Sequence, residues 1–173
     1  MSKTLVAYFS HSGDTYSVGV VKDGNTKLIA NIIAQALNAD TFHIESDIKY
    51  PPKYMDIIKQ ANKEKEANIR PKLTRELPNF SDYDTIFIGY PIWYGIWPMA
   101  VYSFLEKYDF SGKTIIPFNT HEGSGNAGTF QEMKNIMKKS TVETKGFTIY
   151  GKEARKETAN EKVLKWLKEI RKI

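Results

Sequence analysis

Three short apolar runs, Thr4–Phe9, Thr85–Ile88 and Thr114–Phe118, set the tightest limit on what this chain can fold into. Each is rich in β-branched or aromatic residues and closed off by turn-forming residues, and none alternates strictly with polar residues. That is the pattern of strands covered on both faces, which belong to parallel sheets flanked by helices. A fainter run at Phe147–Tyr150 adds a strand. Thr41–Glu45, where Phe42 and Ile44 alternate with polar neighbours, reads as an edge strand. Between the runs, apolar residues recur at helical spacing over Leu28–Leu37, Met99–Leu105 and Phe130–Met137, and at Val163, Trp166, Leu167 and Ile170. Asp56–Asn68 has only Ile57, Ile58, Ala61 and Ala67 to bury and is expected as a loosely packed helix. The order β-α-β-α-β-α-β-α-β-α predicts a single α/β domain over residues 1–173 with a mostly parallel sheet.

Composition agrees with a folded domain. Of 173 residues, 41% are apolar and 26% charged, which supplies a core and excludes disorder. No apolar run approaches the roughly 20 residues that span a bilayer. The N-terminal run is too short for a signal peptide, so the expected location is the cytoplasm. With no cysteine, disulfide scaffolds, zinc–thiolate sites, iron–sulfur clusters and thiol catalysis are excluded. The net charge of +5 does not point to nucleic acid. Residues 152–173 hold 8 Lys and Arg against 4 Asp and Glu, while the rest of the chain is nearly balanced. In that segment Lys162, Lys165, Lys168, Arg171 and Lys172 fall largely off the apolar stripe, as on a helix with a solvated basic face.

In parallel sheets a ligand sits outside the carboxyl ends of the strands, where strand order reverses. The segments after Phe9, Ile88 and Phe118 all carry unusual sequence. The first begins Ser10-His11-Ser12, and Gly24-Asn25-Thr26 precedes the first helix. Hydroxyl-bearing and small residues leading into a helix start can cradle a phosphate through free backbone N–H groups, although an ordinary N-cap has the same composition. Residues 13–23 would then be an inserted excursion, such as a hairpin around Tyr16–Val21. Gly19–Thr26 imitates a nucleotide-binding P-loop but has Asn25 in place of the lysine, which argues against triphosphate hydrolysis. The second segment, Gly89–Pro98, crowds Pro91, Trp93, Tyr94, Trp97 and Pro98 at a strand end, as a flat apolar wall or simply as packing. The third, Asn119–Gly128, has glycines that let the backbone approach a ligand. Ser124, His121 and Glu122 are sequence neighbours without a nucleophile elbow, so no hydrolase triad is implied. No metal-type histidine spacing occurs, and His43 is expected to be solvated.

Over roughly Lys3 to Ile173 the sequence resembles the flavodoxin family. Ser10-His11-Ser12 joined to Gly24-Asn25-Thr26 looks like the family's phosphate loop, interrupted by the excursion. Tyr83-Asp84 through Gly89-Tyr90-Pro91-Ile92-Trp93, and Phe110–Lys113 through Thr120-His121-Glu122-Gly123-Ser124-Gly125, look like its two ring-binding loops. The resemblance implies a doubly wound five-stranded parallel sheet of order 2-1-3-4-5, with helices on both faces. It also implies non-covalent FMN and electron transfer through the exposed flavin edge. The cofactor-binding residues would be Ser10, His11, Ser12, Asn25 and Thr26; Pro91, Ile92, Trp93, Tyr94 and Gly95; and Thr120, His121, Glu122, Gly123 and Gly125. By the same resemblance, the Tyr94–Gly95 peptide would turn over on one-electron reduction, with glycine permitting the positive φ. The expected partners are a reductase and an electron acceptor protein, with no nucleic acid or membrane, and the chain a monomer or weak dimer. An FMN-dependent NAD(P)H:quinone or azo reductase on the same fold is the competing reading. Three features depart from the family: a pI near 9.2 where flavodoxins are usually acidic, no aromatic in Asn119–Asn126, and the excursion itself.

Overall fold

A computed structural model describes residues 3–173, so residues 1 and 2 of the expected domain lie outside the described residues. The apolar runs form strands β1 (Thr4–Tyr8), β5 (Thr85–Pro91) and β6 (Thr114–His121). Leu5, Val6, Ala7, Ile86, Phe87 and Ile88 are all fully buried, which is why these runs do not alternate. The edge strand β4 spans Asp40–His43 and pairs parallel with β1, Leu5 facing Asp40. On its other side β1 pairs parallel with β5, and β5 with β6.

Odd-numbered residues of β1, with even-numbered ones of β4 and β5, join one core that includes Phe104 and Phe130. Val6, Tyr8, Phe87 and Phe118 face the other, under Ile29, Ile33 and Trp166. The helices divide accordingly. On the first face lie α2 (Tyr54–Glu66), α3 (Met99–Lys107) and α4 (Thr129–Ile136); on the second lie α1 (Asn25–Leu37), α5 (Gly151–Ala154) and α6 (Thr158–Glu169). In α6, Val163, Trp166 and Leu167 turn inward while Lys162, Lys165 and Lys168 stay exposed. In α2, Ile57 and Ala61 are buried as expected, but Ala67 is exposed and Glu64 takes an inward place by accepting a hydrogen bond from the Tyr50 hydroxyl at 3.0 Å.

The order 2-1-3-4-5 holds, with the fifth position shared by two short strands, β7 (Thr141–Val142) and β8 (Phe147–Tyr150). Pro117 explains the division. The Thr114 amide donates to Asp84 and the Thr120 carbonyl accepts from Ile92, so even-numbered residues of β6 bond toward β5. The carbonyls of Lys113 and Ile115 accept from Thr141 and Glu143, so odd-numbered residues bond the other way. Pro117 therefore lacks its N–H on the side of the fifth position. The ladder stops at Val142 and resumes opposite Phe118. Residues 13–21 stand apart from this sheet as an antiparallel hairpin of β2 (Gly13–Thr15) and β3 (Gly19–Val21), the excursion expected from sequence.

Candidate functional site

Strand order turns back between β1 and β5, and a cleft opens there beyond the carboxyl ends of β1, β5 and β6. Its first boundary is the start of α1. Gly24, at the N-cap, has no capping side chain. Ser10 substitutes from the end of β1: its Oγ accepts from the Lys27 amide at 3.1 Å, and the Leu28 amide bonds the Gly24 carbonyl at 3.3 Å. Among the described residues the amides of Asn25 and Thr26 have no partner, the usual condition of a helix start. A Cβ on Gly24 would overlap the His11 carbonyl and Ser10 Oγ, so only glycine lets the first loop lie against the helix. Thr26 Oγ1 and Thr120 Oγ1 share a buried hydrogen bond of 2.8 Å, which joins the first loop to the third.

The second loop contributes Pro91, Ile92 and Trp93, and the Ile92 amide donates to the Thr120 carbonyl at 3.0 Å. Trp93 both lines the cleft and packs into the core. Only 4% exposed, it makes edge-type contacts with Phe9 at 5.3 Å, His11 at 5.8 Å and Tyr50 at 5.0 Å, so little of its face meets the cleft. Tyr94 and Gly95 do not line the cleft. They form the tip of a two-residue turn closed by reciprocal Trp93–Ile96 bonds, with φ of +53° and +80°, the signature of a type I′ turn. The positive φ expected of a turned peptide is thus already present at Gly95, and the Tyr94 carbonyl accepts from Lys65 Nζ at 3.2 Å.

From the third loop Thr120, His121 and Glu122 face the cleft. Gly123 and Gly125 shape the loop from outside it: the Gly123 amide donates to His121 Nδ1 at 3.0 Å, and the Gly125 carbonyl accepts from Asn119 Nδ2 at 3.0 Å. Ser12 is exposed and also outside. Burial raises the Glu122 pKa, while the Ser17 hydroxyl and Lys152 pull it down. Burial lowers both His11 and His121, with the Asp14 charge opposing this at His11, so neither becomes a more ready cation. His43 is not simply solvated: it stacks on Tyr8 at 5.1 Å and pairs with Glu45 at 2.9 Å. Among the described residues no group of three or more acidic or histidine side chains is placed to hold a metal ion.

Two lining residues and one supporting residue escaped the sequence reading. Thr15, in the hairpin, and Tyr54, at the start of α2, both face the cleft. The stiff Tyr50-Pro51-Pro52-Lys53-Tyr54 segment was the available signal for Tyr54. Arg155 Nη1 donates to the Asp23 carbonyl at 2.9 Å and to Asn25 Oδ1 at 3.0 Å, so it holds the turn on both sides of Gly24. Nothing in the basic C-terminal segment marked it out.

The residues present suit a ligand with one anionic end and a flat ring. Two unpartnered amides and the glycine contact make the anionic end. His11 Nε2, buried without a partner, is a further polar atom beside the cleft. Pro91, Ile92 and Trp93 make the apolar side.

Comparison with known proteins agrees. The profile of the family described as Flavodoxin matches residues 3–170. Among solved structures, a candidate flavoprotein from Bacteroides uniformis ATCC 8492 is 29% identical, with 96% of this chain and 98% of that one covered and a TM-score of 0.75. A candidate flavoprotein from Bacteroides eggerthii DSM 20697 is 25% identical, with 97% of each chain covered and a TM-score of 0.76. A flavoprotein from Lactobacillus acidophilus NCFM, solved in complex with FMN, shares the fold at 20% identity, with 96% of this chain and 99% of that one covered and a TM-score of 0.65. Comparison with curated proteins found no match.

Proposed function

The chain belongs to the flavodoxin family, and on that footing we propose that it binds one FMN in this cleft and carries electrons between proteins. The observation that carries the reading is the free-amide start of α1, bonded through Thr26 and Thr120 to the loop that flanks the apolar side. The FMN-bound relative of the same fold supports it. When bound, FMN supplies a reversible one- and two-electron couple through its ring. The Asn25 and Thr26 amides, with Ser10 fixing the helix start, receive the phosphate. Pro91–Trp93 and Thr120–Glu122 flank the ring, while Ser12, Gly95, Gly123 and Gly125 set the shape of the loops. A reductase delivers electrons and a second protein accepts them, with the chain as a monomer or weak dimer. No helix among the described residues is long and apolar enough to cross a membrane.

The test is to incubate purified protein with excess FMN or FAD, remove free flavin, and analyse the heat-released ligand by chromatography. One FMN per chain is expected; recovery of FAD, or of no flavin, overturns the reading. Titration with dithionite then measures the couple. Rapid bleaching by NAD(P)H alone would favour the reductase reading over the carrier.

A further inference from the structure

We infer that the β2–β3 hairpin and the first turn of α2 form a fourth wall of the cleft, with Tyr54 making the ring contact for which the third loop has no aromatic residue. The inference rests on the flavin reading above. Asn119–Asn126 offers no aromatic side chain, and Trp93 is committed to Phe9, His11 and Tyr50. Of the residues facing the cleft, Tyr54 is the remaining large aromatic one. Its aromatic neighbour is Tyr16, tilted by 51° at 5.8 Å, and the Tyr54 side chain also lines the cleft.

The hairpin is attached at two points, one of which holds the backbone of Tyr54. Lys53, the N-cap residue of α2, provides no capping side chain. Asp14, from β2, takes over: its Oδ2 accepts from the Tyr54 amide at 2.8 Å, a carboxylate at a helix start. At the hairpin tip, Ser17 Oγ donates to Glu122 Oε2 at 2.6 Å, a bond between residues 105 apart in sequence. The hairpin therefore runs from α2 to the third loop, with Thr15 facing the cleft between the two attachments. Both helices that border the cleft are capped from this one stretch of chain, α1 by Ser10 and α2 by Asp14. An insertion that merely looped into solvent would need neither bond.

A wall of this kind acts on the ring, so it should not distinguish FMN from riboflavin. Tyr54→Leu is expected to weaken both flavins by like factors, roughly three- to tenfold for the loss of one aromatic contact, and to brighten the bound flavin's fluorescence. Tyr54→Phe should retain both properties. Ser17→Ala should speed dissociation of both flavins in stopped-flow displacement. Unchanged riboflavin affinity and fluorescence in Tyr54→Leu overturns the ring contact, and an unchanged dissociation rate in Ser17→Ala overturns the wall. If Tyr54→Leu does not fold, Tyr54→Trp takes its place: a changed flavin absorption band or deeper quenching supports the contact, and an unaltered spectrum overturns it. Absence of flavin binding by the unsubstituted protein overturns the flavin reading itself, so the two failures are distinguishable.

Discussion

Arg155 and Glu122 both lie close to Asn25 but fail in different ways when changed. Arg155 acts through Asp23 and Asn25, the residues on either side of Gly24. Arg155→Gln releases that turn and withdraws a positive charge from the phosphate end. FMN affinity should fall by about 1 kcal/mol, the worth of an exposed charge-assisted bond, and riboflavin affinity by much less. Parallel titrations of the two flavins by fluorescence quenching measure the difference, and equal losses would place the phosphate elsewhere. Glu122 carries a cost of burial. Its folded pKa lies above the unfolded value because burial disfavours the carboxylate. The folded state therefore binds this proton more readily, and the stability linked to it is lost as pH rises through the folded pKa. Glu122→Gln keeps an acceptor for Ser17 without a charge. The variant should match or exceed the parent's melting temperature at pH 7 and show a flatter profile from about pH 4, the ordinary glutamate range, upward. A variant that melts well below the parent at pH 7 contradicts this.

The hairpin can be removed without breaking a strand pairing of the main sheet. Its strands pair with each other and not with the main sheet, and Gly24 already lies against His11. Joining Ser12 to Gly24 should therefore give a folded protein with the main sheet intact, visible as an unchanged far-ultraviolet spectrum and a cooperative melt. Flavin should leave it faster than it leaves the parent. A chain that no longer folds would show that residues 13–23 support the core. The same elements show what sequence could and could not disclose. Strands β1, β5 and β6 were legible because burial on both faces leaves a continuous apolar signature in the chain itself. The hairpin was legible as an interruption between two halves of a short motif. Strand β7 was not, because two residues carry no periodicity. Tyr54 was not, because its meeting with the cleft depends on where Asp14 places the start of α2. Pro117 was visible, but its effect depends on which neighbour an odd-numbered residue of β6 faces, and that is fixed only by register.

At the scale of the whole molecule, the charge of +5 governs encounters before any contact forms. Flavodoxins that are acidic attract basic partners; this chain repels them at long range. Reduced protein should therefore reduce cytochrome c, a basic haem protein, slowly at low salt. The rate should rise with ionic strength as screening shortens to about 8–10 Å near physiological salt. A rate that falls with salt would show that local acidic groups near the cleft outweigh the net charge. The sheet's outer margins have a different consequence. β4 is four residues long, and the interruption opposite Pro117 divides the other margin into pieces of two and four. Neither margin gives a second chain a long run of free backbone groups to extend. The proline that costs the fold a hydrogen bond also deprives it of a template for end-to-end polymerisation.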